Sequence, residues 1–190
     1  DAQGDSNTYF NIGIAYFKME KYDSAKYYFL RTVELNPDDI YAHFYLGNIE
    51  KITGNPAEAR SRFEKVLGIS PDYSWAYYNL AVIDFEEDNL KSALENLQKT
   101  INYNPKDMDA YKIWAKILMR NNAHTQAVKI LDTAIKKCGE FGDLYYLLGE
   151  AYKAVGDKER AKNSISLALK HYATLTYDVN LVKEKLNGIV

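Results

Sequence analysis

Several features are scarce or missing in this 190-residue chain, and each excludes a class of protein. It has one cysteine, Cys138, so it cannot form an internal disulfide. It has no Asn-x-Ser/Thr sequence and no apolar run near the ~18 residues of a membrane span. It also lacks a Gly-rich phosphate loop, a Cys-x-x-Cys pair and a nucleophile elbow. The sequence therefore offers no sign of a disulfide scaffold, a membrane span or a catalytic motif.

The three histidines do not form a metal-binding motif. His43, His124 and His171 are far apart, and none has the His-x-x-x-His or His-Glu-x-x-His spacing of a metal-binding helix. The acidic pair Glu86-Glu87 lies at the end of a predicted helix, where we expect it to be solvated. We therefore expect no catalytic residues, no metal and no cofactor, and a protein that is not an enzyme.

Charge is small in total but unevenly spread. The net charge of −2 gives no general reason to expect nucleic acid or an anionic membrane as partner. Residues 1–107 carry 11 Lys+Arg and 17 Asp+Glu, a net of −6, whereas residues 108–190 carry 13 and 9, a net of +4. Ordinary surface variation explains this difference; a polarised groove or head-to-tail contacts are the alternative.

What the sequence does contain is a pattern that repeats every 34 residues. Pro37, Pro71 and Pro105 are each 34 residues apart, and small residues recur at the same interval. Two columns contain only Gly or Ala: Gly13, Gly47, Ala81, Ala115 and Gly149 at position eight, and Ala25, Ala59, Ala93, Ala127 and Ala161 at position twenty. The register defines five repeats, 6–39, 40–73, 74–107, 108–141 and 142–175, preceded by a polar lead, 1–5, and followed by residues 176–190.

Each column has a physical reason. A repeat of this length holds two helices of about 14 residues, and small residues at positions eight and twenty let the two backbones approach closely. Apolar residues at positions four, seven, eleven and twenty-four recur at helical spacing and fill the space between helices. Proline near the end of a repeat lacks an N–H and stops the second helix. The sequence therefore predicts an all-α chain of helix pairs.

The pattern resembles the tetratricopeptide repeat (TPR) family. In the first repeat it reads Tyr9-x-x-Ile12-Gly13-x-x-Tyr16, then Ala25-x-x-x-Phe29, then Pro37, and the family pattern has the same spacing over 34 residues. The resemblance covers residues 6–175. It implies a right-handed α-solenoid of antiparallel helix pairs, a concave face built by the first helix of each pair, and a role in binding partner proteins.

Residues 176–190 predict a C-terminal capping helix. Val179, Val182, Leu186 and Ile189 are spaced by three or four residues, so they share one helical face. A solenoid must cover the apolar end of its last repeat. The alternative is that this helix opens another repeat of a longer protein.

The resemblance also implies which residues form a partner-binding groove, because first-helix positions two, five, six, nine, twelve and thirteen point into it or border it. Repeats one to three place aromatics and asparagines there, and an Asn amide pairs with both groups of a peptide backbone. Repeat four adds a basic cluster at i, i+4 and i+8, suited to an acidic segment or a carboxylate. The expected groove residues are Phe17, Tyr41, Phe44, Asn48, Trp75, Tyr78, Asn79, Lys112, Lys116, Arg120 and Tyr146. Alternatively, some aromatics, notably Phe10, Tyr45 and Phe85, pack against a neighbouring repeat.

The sequence leaves the type of partner open. Family members that grip chaperone C-termini use a set of charged residues that Phe44, Asp109 and Ile113 do not match, so an apolar or mixed peptide is the better expectation. We expect a protein scaffold that binds an extended peptide or an amphipathic helix. Homo-oligomerisation through the groove or an end face is the alternative, and nucleic-acid binding through repeats four and five is less favoured. A cytoplasmic location is slightly favoured, and periplasmic or exported locations stay open because the chain starts at Asp1 rather than Met.

Overall fold

The structure, a computed structural model, describes residues 2–189. These residues form eleven α-helices and one 3-10 turn, with no strand among them. The α-helices are α1 Ala2–Lys18, α2 Tyr22–Leu35, α3 Ile40–Ile52, α4 Pro56–Ile69, α5 Ser74–Glu86, α6 Leu90–Tyr103, α7 Met108–Arg120, α8 His124–Cys138, α9 Gly142–Val155, α10 Lys158–Lys170 and α11 Val179–Asn187. The predicted all-α class, with five consecutive helix pairs and a C-terminal helix, is confirmed. Helix α1 begins inside the polar lead, and Asp1 and Val190 lie outside the described residues.

The chain divides into two compact units, residues 1–87 (unit 1) and 88–190 (unit 2). Unit 1 contains α1 to α5, and unit 2 contains α6 to α11. The boundary follows α5, which is the first helix of the third repeat.

Close helix contact explains the small residues at position eight. A Cβ added to Gly47 on α3 would lie 2.8 Å from the ring of Phe63 on α4, which is fully buried. In unit 2, a Cβ added to Gly149 on α9 would lie 2.5 Å from the Ile165 side chain on α10. Real contacts are not this short, so each glycine makes room for a large side chain of its partner helix. The position-eight column therefore records where the two helices of a repeat meet.

Successive repeats are also joined by a recurring hydrogen bond from position four to the preceding proline. His43 Nε2 lies 2.9 Å from the Pro37 carbonyl oxygen. In the same register, Tyr77 OH donates to the Pro71 carbonyl at 3.1 Å and Tyr111 OH donates to the Pro105 carbonyl at 3.3 Å. Each bond satisfies a carbonyl in the turn that leads into the next repeat.

Burial of the His43 imidazole makes the stability of unit 1 sensitive to pH. Burial lowers the pKa of the His43 imidazole, and the bond to the Pro37 carbonyl only partly offsets this. Arg62 and Lys65 lower the pKa further, whereas Asp39 raises it. The His43 imidazole therefore takes up a proton near about pH 6.5 in the unfolded chain and only at a lower pH in the folded chain, so stability falls as the pH decreases through this range.

We expect His43→Tyr to reduce this loss of stability, because tyrosine makes the same bond in the next two repeats and does not protonate. The variant should also be about 1 kcal/mol more stable at pH 8, because His43 Nδ1 is buried without a hydrogen-bond partner among the described residues. Urea unfolding at pH 8 and pH 5, followed by circular dichroism, measures both effects. Equal pH dependence in the two proteins would contradict the assignment.

Two junctions in unit 1 contain a buried carboxylate paired with a cation. Lys26 on α2 lies 2.6 Å from Glu50 on α3, whose side chain is only 3% exposed. Arg60 on α4 lies 2.9 Å from the equally buried Asp84 on α5. The corresponding positions in the last junction of unit 2 are Val128 and Tyr152, which both pack against the apolar core of that unit. The same pair of repeat positions thus holds an ion pair at these junctions of unit 1 and two apolar side chains at the last junction of unit 2.

The C-terminal segment covers the last helix pair of unit 2. A 3-10 turn, Tyr172–Thr174, leads into α11, on which Val182 is fully buried. Tyr177 and Leu186 also pack against the apolar core of unit 2, whereas Lys183 and Glu184 are exposed. The inward face of α11 is therefore the apolar face that the sequence spacing predicts.

Candidate functional site

The first helices α3 and α5 of unit 1 form an open depression lined by aromatic and amide side chains. We call it the aromatic cleft, and its volume is about 420 Å³. Its lining residues are Phe44, Tyr45, Asn48, Tyr73, Trp75, Tyr78 and Asn79. No charged side chain is among them. Five of the sequence-predicted groove residues therefore come together on one surface: Phe44, Asn48, Trp75, Tyr78 and Asn79.

The rim of the aromatic cleft contains unusually exposed large side chains. Trp75 is 52% exposed and meets Tyr78 edge-on, with 6.5 Å between the ring centroids. Tyr41, in the first turn of α3, is 58% exposed and contacts Tyr73 at 6.4 Å. Folding leaves more than half of these two rings in water, so a partner can still gain free energy by covering them.

Phe44 and Tyr45 form the floor of the cleft, and other rings of unit 1 pack against them. Phe44 contacts Tyr73 at 5.4 Å and the buried ring of Phe63 at 5.8 Å. Tyr45 stacks on Phe29 at 5.2 Å, with a 13° angle between the rings. The rings of the floor are therefore fixed from below and present one face to solvent.

Some aromatics of the first helices do pack against a neighbouring repeat. Phe10 contacts both Phe29 of its own repeat and Tyr45 of the next, at 5.6 and 6.0 Å. Phe17, a predicted groove residue, is half-buried between Tyr22 and Tyr45, at 5.7 and 5.1 Å, and it does not line the cleft. The alternative of inter-repeat packing thus applies to Phe10 and Tyr45, and in part to Phe17.

The two asparagines of the cleft differ in availability. Asn79 is buried; its amide donates to the Trp75 carbonyl at 2.9 Å and accepts a bond from Lys51. Burial lowers the pKa of Lys51, which Glu86 partly counteracts. Asn48 is half-exposed, and its side chain makes no hydrogen bond to any described residue. Asn48 is therefore the cleft amide that is available to a peptide backbone, while Asn79 supports Trp75.

Tyr73 is a cleft residue that sequence reasoning missed. It ends the second repeat at position thirty-four and is the N-cap residue of α5, so it precedes the helical positions that the family pattern assigns to the groove. Burial raises the pKa of its hydroxyl, and Tyr41 and Tyr45 raise it further. An aromatic directly before a groove helix was the available signal.

In unit 2, most of the predicted basic cluster is already paired. Lys112 Nζ lies 2.8 Å from Asp143 and 3.1 Å from Asp109, and Arg120 lies 2.7 Å from Asp88. Lys116 and Arg120 are exposed, whereas Lys112 is partly buried. The buried Asp143 carboxylate thus holds Lys112 before any partner binds, whereas Arg120 makes only an exposed pair with Asp88.

Asp143 connects this cluster to the C-terminal segment. Burial alone would raise the pKa of its carboxyl, but bonds from Lys112 and Thr176 hold that pKa below its usual range. The Thr176 backbone N–H donates to Asp143 at 2.6 Å, and its hydroxyl donates at 2.9 Å. Asp143 therefore anchors the segment that leads into α11.

The same segment covers Tyr146, the groove residue predicted in the fifth repeat. Tyr146 is 5% exposed, and the ring of Tyr177 lies on it at 4.2 Å. Lys185 of α11 donates to the Tyr146 hydroxyl at 2.7 Å and to Glu150 at 2.5 Å. Tyr146 therefore lies beneath the C-terminal segment rather than on an open surface.

Trp114, which the register places in the core, is only half-buried. It lines a shallow depression of about 270 Å³ with Leu118 of α7 and with residues of α8. Position seven of this repeat therefore borders solvent along the α7–α8 pair, and both tryptophans of the chain are accessible to some extent.

Neither a metal site nor a membrane span is found in the part of the chain that the structure describes. Within residues 2–189, no three His, Cys, Asp or Glu side chains are grouped so that they could hold an ion. None of the described helices is both long enough and apolar enough to cross a bilayer.

Comparison with protein families gives three matches to models of the tetratricopeptide repeat. They cover residues 6–39, 53–117 and 142–170. A curated relative, tetratricopeptide repeat protein 37 of Xenopus laevis, is 35% identical over 63 residues. That match covers 33% of this chain and only 4% of the relative, so the chain spans a small part of that protein.

Solved structures show the same fold. PilF of Pseudomonas aeruginosa matches with a TM-score of 0.83 and 13% identity, covering 99% of this chain and 85% of that one. MamA of Desulfovibrio magneticus RS-1 matches at 0.77 and 17%, covering 91% and 98%. YrrB, described as a TPR protein with an unusual peptide-binding site, matches at 0.72 and 20%, covering 96% and 93%. At these identities the likeness concerns the fold alone.

Proposed function

The chain belongs to the tetratricopeptide repeat family, and from that premise we propose that it is a binding protein that holds an extended segment of a partner protein in the aromatic cleft. Proteins of this family bind other proteins. The observation that carries the proposal is the exposure of Trp75 and Tyr41 beside a cleft that Phe44, Tyr73 and Asn48 line.

The chemistry of the cleft fits a peptide. Trp and Tyr are enriched among residues that dominate binding energy, because they bring a large contact area at a low entropic cost. Asn48 offers both a donor and an acceptor to a backbone N–H and C=O, so it suits an extended chain whose polar groups are unpaired. A helix satisfies its own backbone and would leave this amide unused. The description of YrrB as a peptide-binding protein of the same fold is consistent with this proposal.

The alternatives have less support. Pairing of Lys112 and Arg120 with carboxylates of the chain weakens the case for nucleic acid, which needs free cations along a surface. Catalysis has no candidate residues in the cleft, whose lining contains neither a nucleophile nor a carboxylate. Self-association through the cleft remains an outcome of the experiment below.

The test uses Trp75 as a reporter. In a Trp114→Phe background, Trp75 is the only tryptophan, and its emission should be red-shifted and quenched by acrylamide. Peptides selected from a random 12-residue display library should shift this emission to the blue on saturable titration, because they remove the ring from water. The matched control is Tyr27→Ala, which removes an equally exposed ring (59%) from α2 and should leave binding unchanged.

Three results would contradict the proposal. They are a Trp75 emission that is blue and unquenchable in the free protein, a library that yields no peptide competing at Trp75, and an emission that shifts with protein concentration alone. The last result would show instead that a second copy occupies the cleft.

A further inference from the structure

We infer that the segment bound in the aromatic cleft carries an arginine, whose guanidinium lies on the exposed ring of Trp75. This inference rests on the proposed function and specifies the chemistry of its partner. Three observations support it: the uncovered rings of the rim, the carboxylates beside them, and the position of a lysine beside the cleft lining.

The first observation concerns which aromatic rings already have a cation. Some tyrosine rings are covered by cations of this chain: Arg31 lies over Tyr9 at 5.7 Å, Arg160 over Tyr152 at 4.7 Å, and Lys185 over Tyr146 at 5.1 Å. Trp75 and Tyr41 are more exposed, yet no cation of the described residues lies over either ring. The indole face attracts a cation most strongly among side chains, so Trp75 offers the best unused site of this kind in unit 1.

The second observation is the charge around the rim. The loops that lead into α3 and α5 contain Asp38, Asp39 and Asp72, within three residues of Tyr41 or Trp75. Asp72 is exposed and accepts a bond from the Ser70 hydroxyl at 2.8 Å. Asp38 is also exposed but already pairs with Lys65 at 2.9 Å, and Asp39 caps α3 by accepting from the Ala42 N–H, so Asp72 is the rim carboxylate on which the inference depends. Unit 1 as a whole has eight basic and fourteen acidic residues, a net charge of −6. A cationic segment therefore approaches this rim down a favourable potential.

The third observation gives the segment a direction. Lys51 is a cation beside the cleft lining, where it bonds Asn79. It follows Tyr41 by ten residues on α3, which is about 15 Å along the helix axis. Lys51 therefore places a positive charge toward the C-terminal end of α3, which Glu86 at the end of α5 partly offsets, whereas the acidic loops lie at the N-terminal ends of α3 and α5. An arginine of the partner is accommodated at the Trp75 end, with apolar residues beyond it on the floor.

Arginine fits better than lysine for a geometric reason. A guanidinium is planar and weakly hydrated, so it stacks on an indole while its edge N–H groups still reach a carboxylate such as Asp72. An ammonium is a compact, strongly hydrated charge that cannot lie flat on the ring.

The experiment compares a peptide with its neutral isostere. Peptides from the display library that compete at the cleft are synthesised with arginine, lysine or citrulline at the enriched position, and their affinities are measured by fluorescence anisotropy. Citrulline keeps the shape of arginine and removes the charge. We expect citrulline to weaken binding about tenfold, and lysine to weaken it less.

Two variants place the effect on the protein. In Trp75→Leu the ratio between the arginine and citrulline peptides should fall to about one, because leucine keeps apolar area and loses the π face. In Asp72→Asn the ratio should fall about threefold relative to Glu64→Gln, which removes an exposed carboxylate of α4 elsewhere on unit 1.

The outcomes separate the two proposals. Cleft-dependent peptides that lack arginine, or that bind equally well with citrulline, would overturn the inference and leave the proposed function standing. An arginine effect that persists in Trp75→Leu would also overturn it. Failure to select any peptide that competes at the cleft would contradict the proposed function and the inference together.

Discussion

Replacing Phe44, Trp75 and Tyr78 together by alanine is expected to weaken binding of a cleft-selected peptide by at least 1,000-fold. Hot-spot side chains of this kind contribute roughly 2 kcal/mol each, and micromolar affinity corresponds to only about 8 kcal/mol. Trp75 and Tyr78 lose contact area at the rim, and Phe44 loses it at the floor. Anisotropy titration of a labelled peptide measures the loss.

The control removes three exposed rings elsewhere. Tyr27, Tyr103 and Tyr172 are 59%, 52% and 68% exposed, and none lines the aromatic cleft. Their triple alanine variant should bind as the parent protein does. Both variants should keep their helicity, since neither changes the small residues at which the helices of a repeat meet. Undiminished binding by the cleft variant would place the site on another surface.

Lys26→Met is expected to destabilise unit 1 by about 3 kcal/mol, the second large effect. It leaves the Glu50 carboxylate buried with one bond, from the Asn55 amide at 3.1 Å, and no cation. An unpaired buried charge costs more than the pair contributes, because its desolvation is no longer offset. Urea unfolding followed by circular dichroism measures the change.

Two further variants test the cause. The double variant Lys26→Val, Glu50→Tyr copies Val128 and Tyr152 of the same register and should recover most of the loss, because no charge is then buried. Arg62→Met breaks the exposed pair with Glu58, 3.1 Å long, and should cost about 0.5 kcal/mol or less. If Lys26→Met were as mild as Arg62→Met, the junction carboxylate would not depend on its cation.

The fold was predictable because the helix contacts are local and repeat. Gly47 lies against Phe63 within one repeat, and the same pair of positions brings Gly149 against Ile165. A residue type that recurs at such a contact leaves a column in the sequence. The hydrogen bonds from position four to the preceding proline are equally regular, although His43 hides the pattern that Tyr77 and Tyr111 share.

The candidate site was predictable only in part, because register does not reveal what a side chain already contacts. Phe44, Asn48, Trp75 and Tyr78 come together as the family positions imply. The amide of Asn79 is engaged by Lys51, from a different position of the preceding repeat. This pairing depends on how far the Lys51 side chain extends toward the next repeat, which a sequence pattern does not record.

Tyr146, which the register places in the groove, is buried for another reason. Tyr177, which covers it, belongs to the C-terminal segment that follows the fifth repeat. That segment turns through Tyr172–Thr174 before α11 begins, so the 34-residue register gives no position for its side chains.

The connection between α10 and α11 is exposed to proteolysis. It precedes the C-terminal segment that lies over Tyr146 of α9. Tyr172, Ala173, Thr174 and Thr176 are all exposed, in a short stretch without regular α-helix. A single cut within Tyr172–Thr174 would leave α11 attached only by non-covalent contacts, which include those with Asp143, Tyr146, Glu150 and the apolar core. While α11 is covalently linked, its effective concentration at α9 is about millimolar. After cleavage, a micromolar solution of the protein supplies the free fragment at only micromolar concentration, so the fragment dissociates more readily. Cleavage of this one connection would therefore open the fifth repeat to solvent without changing any residue of α9.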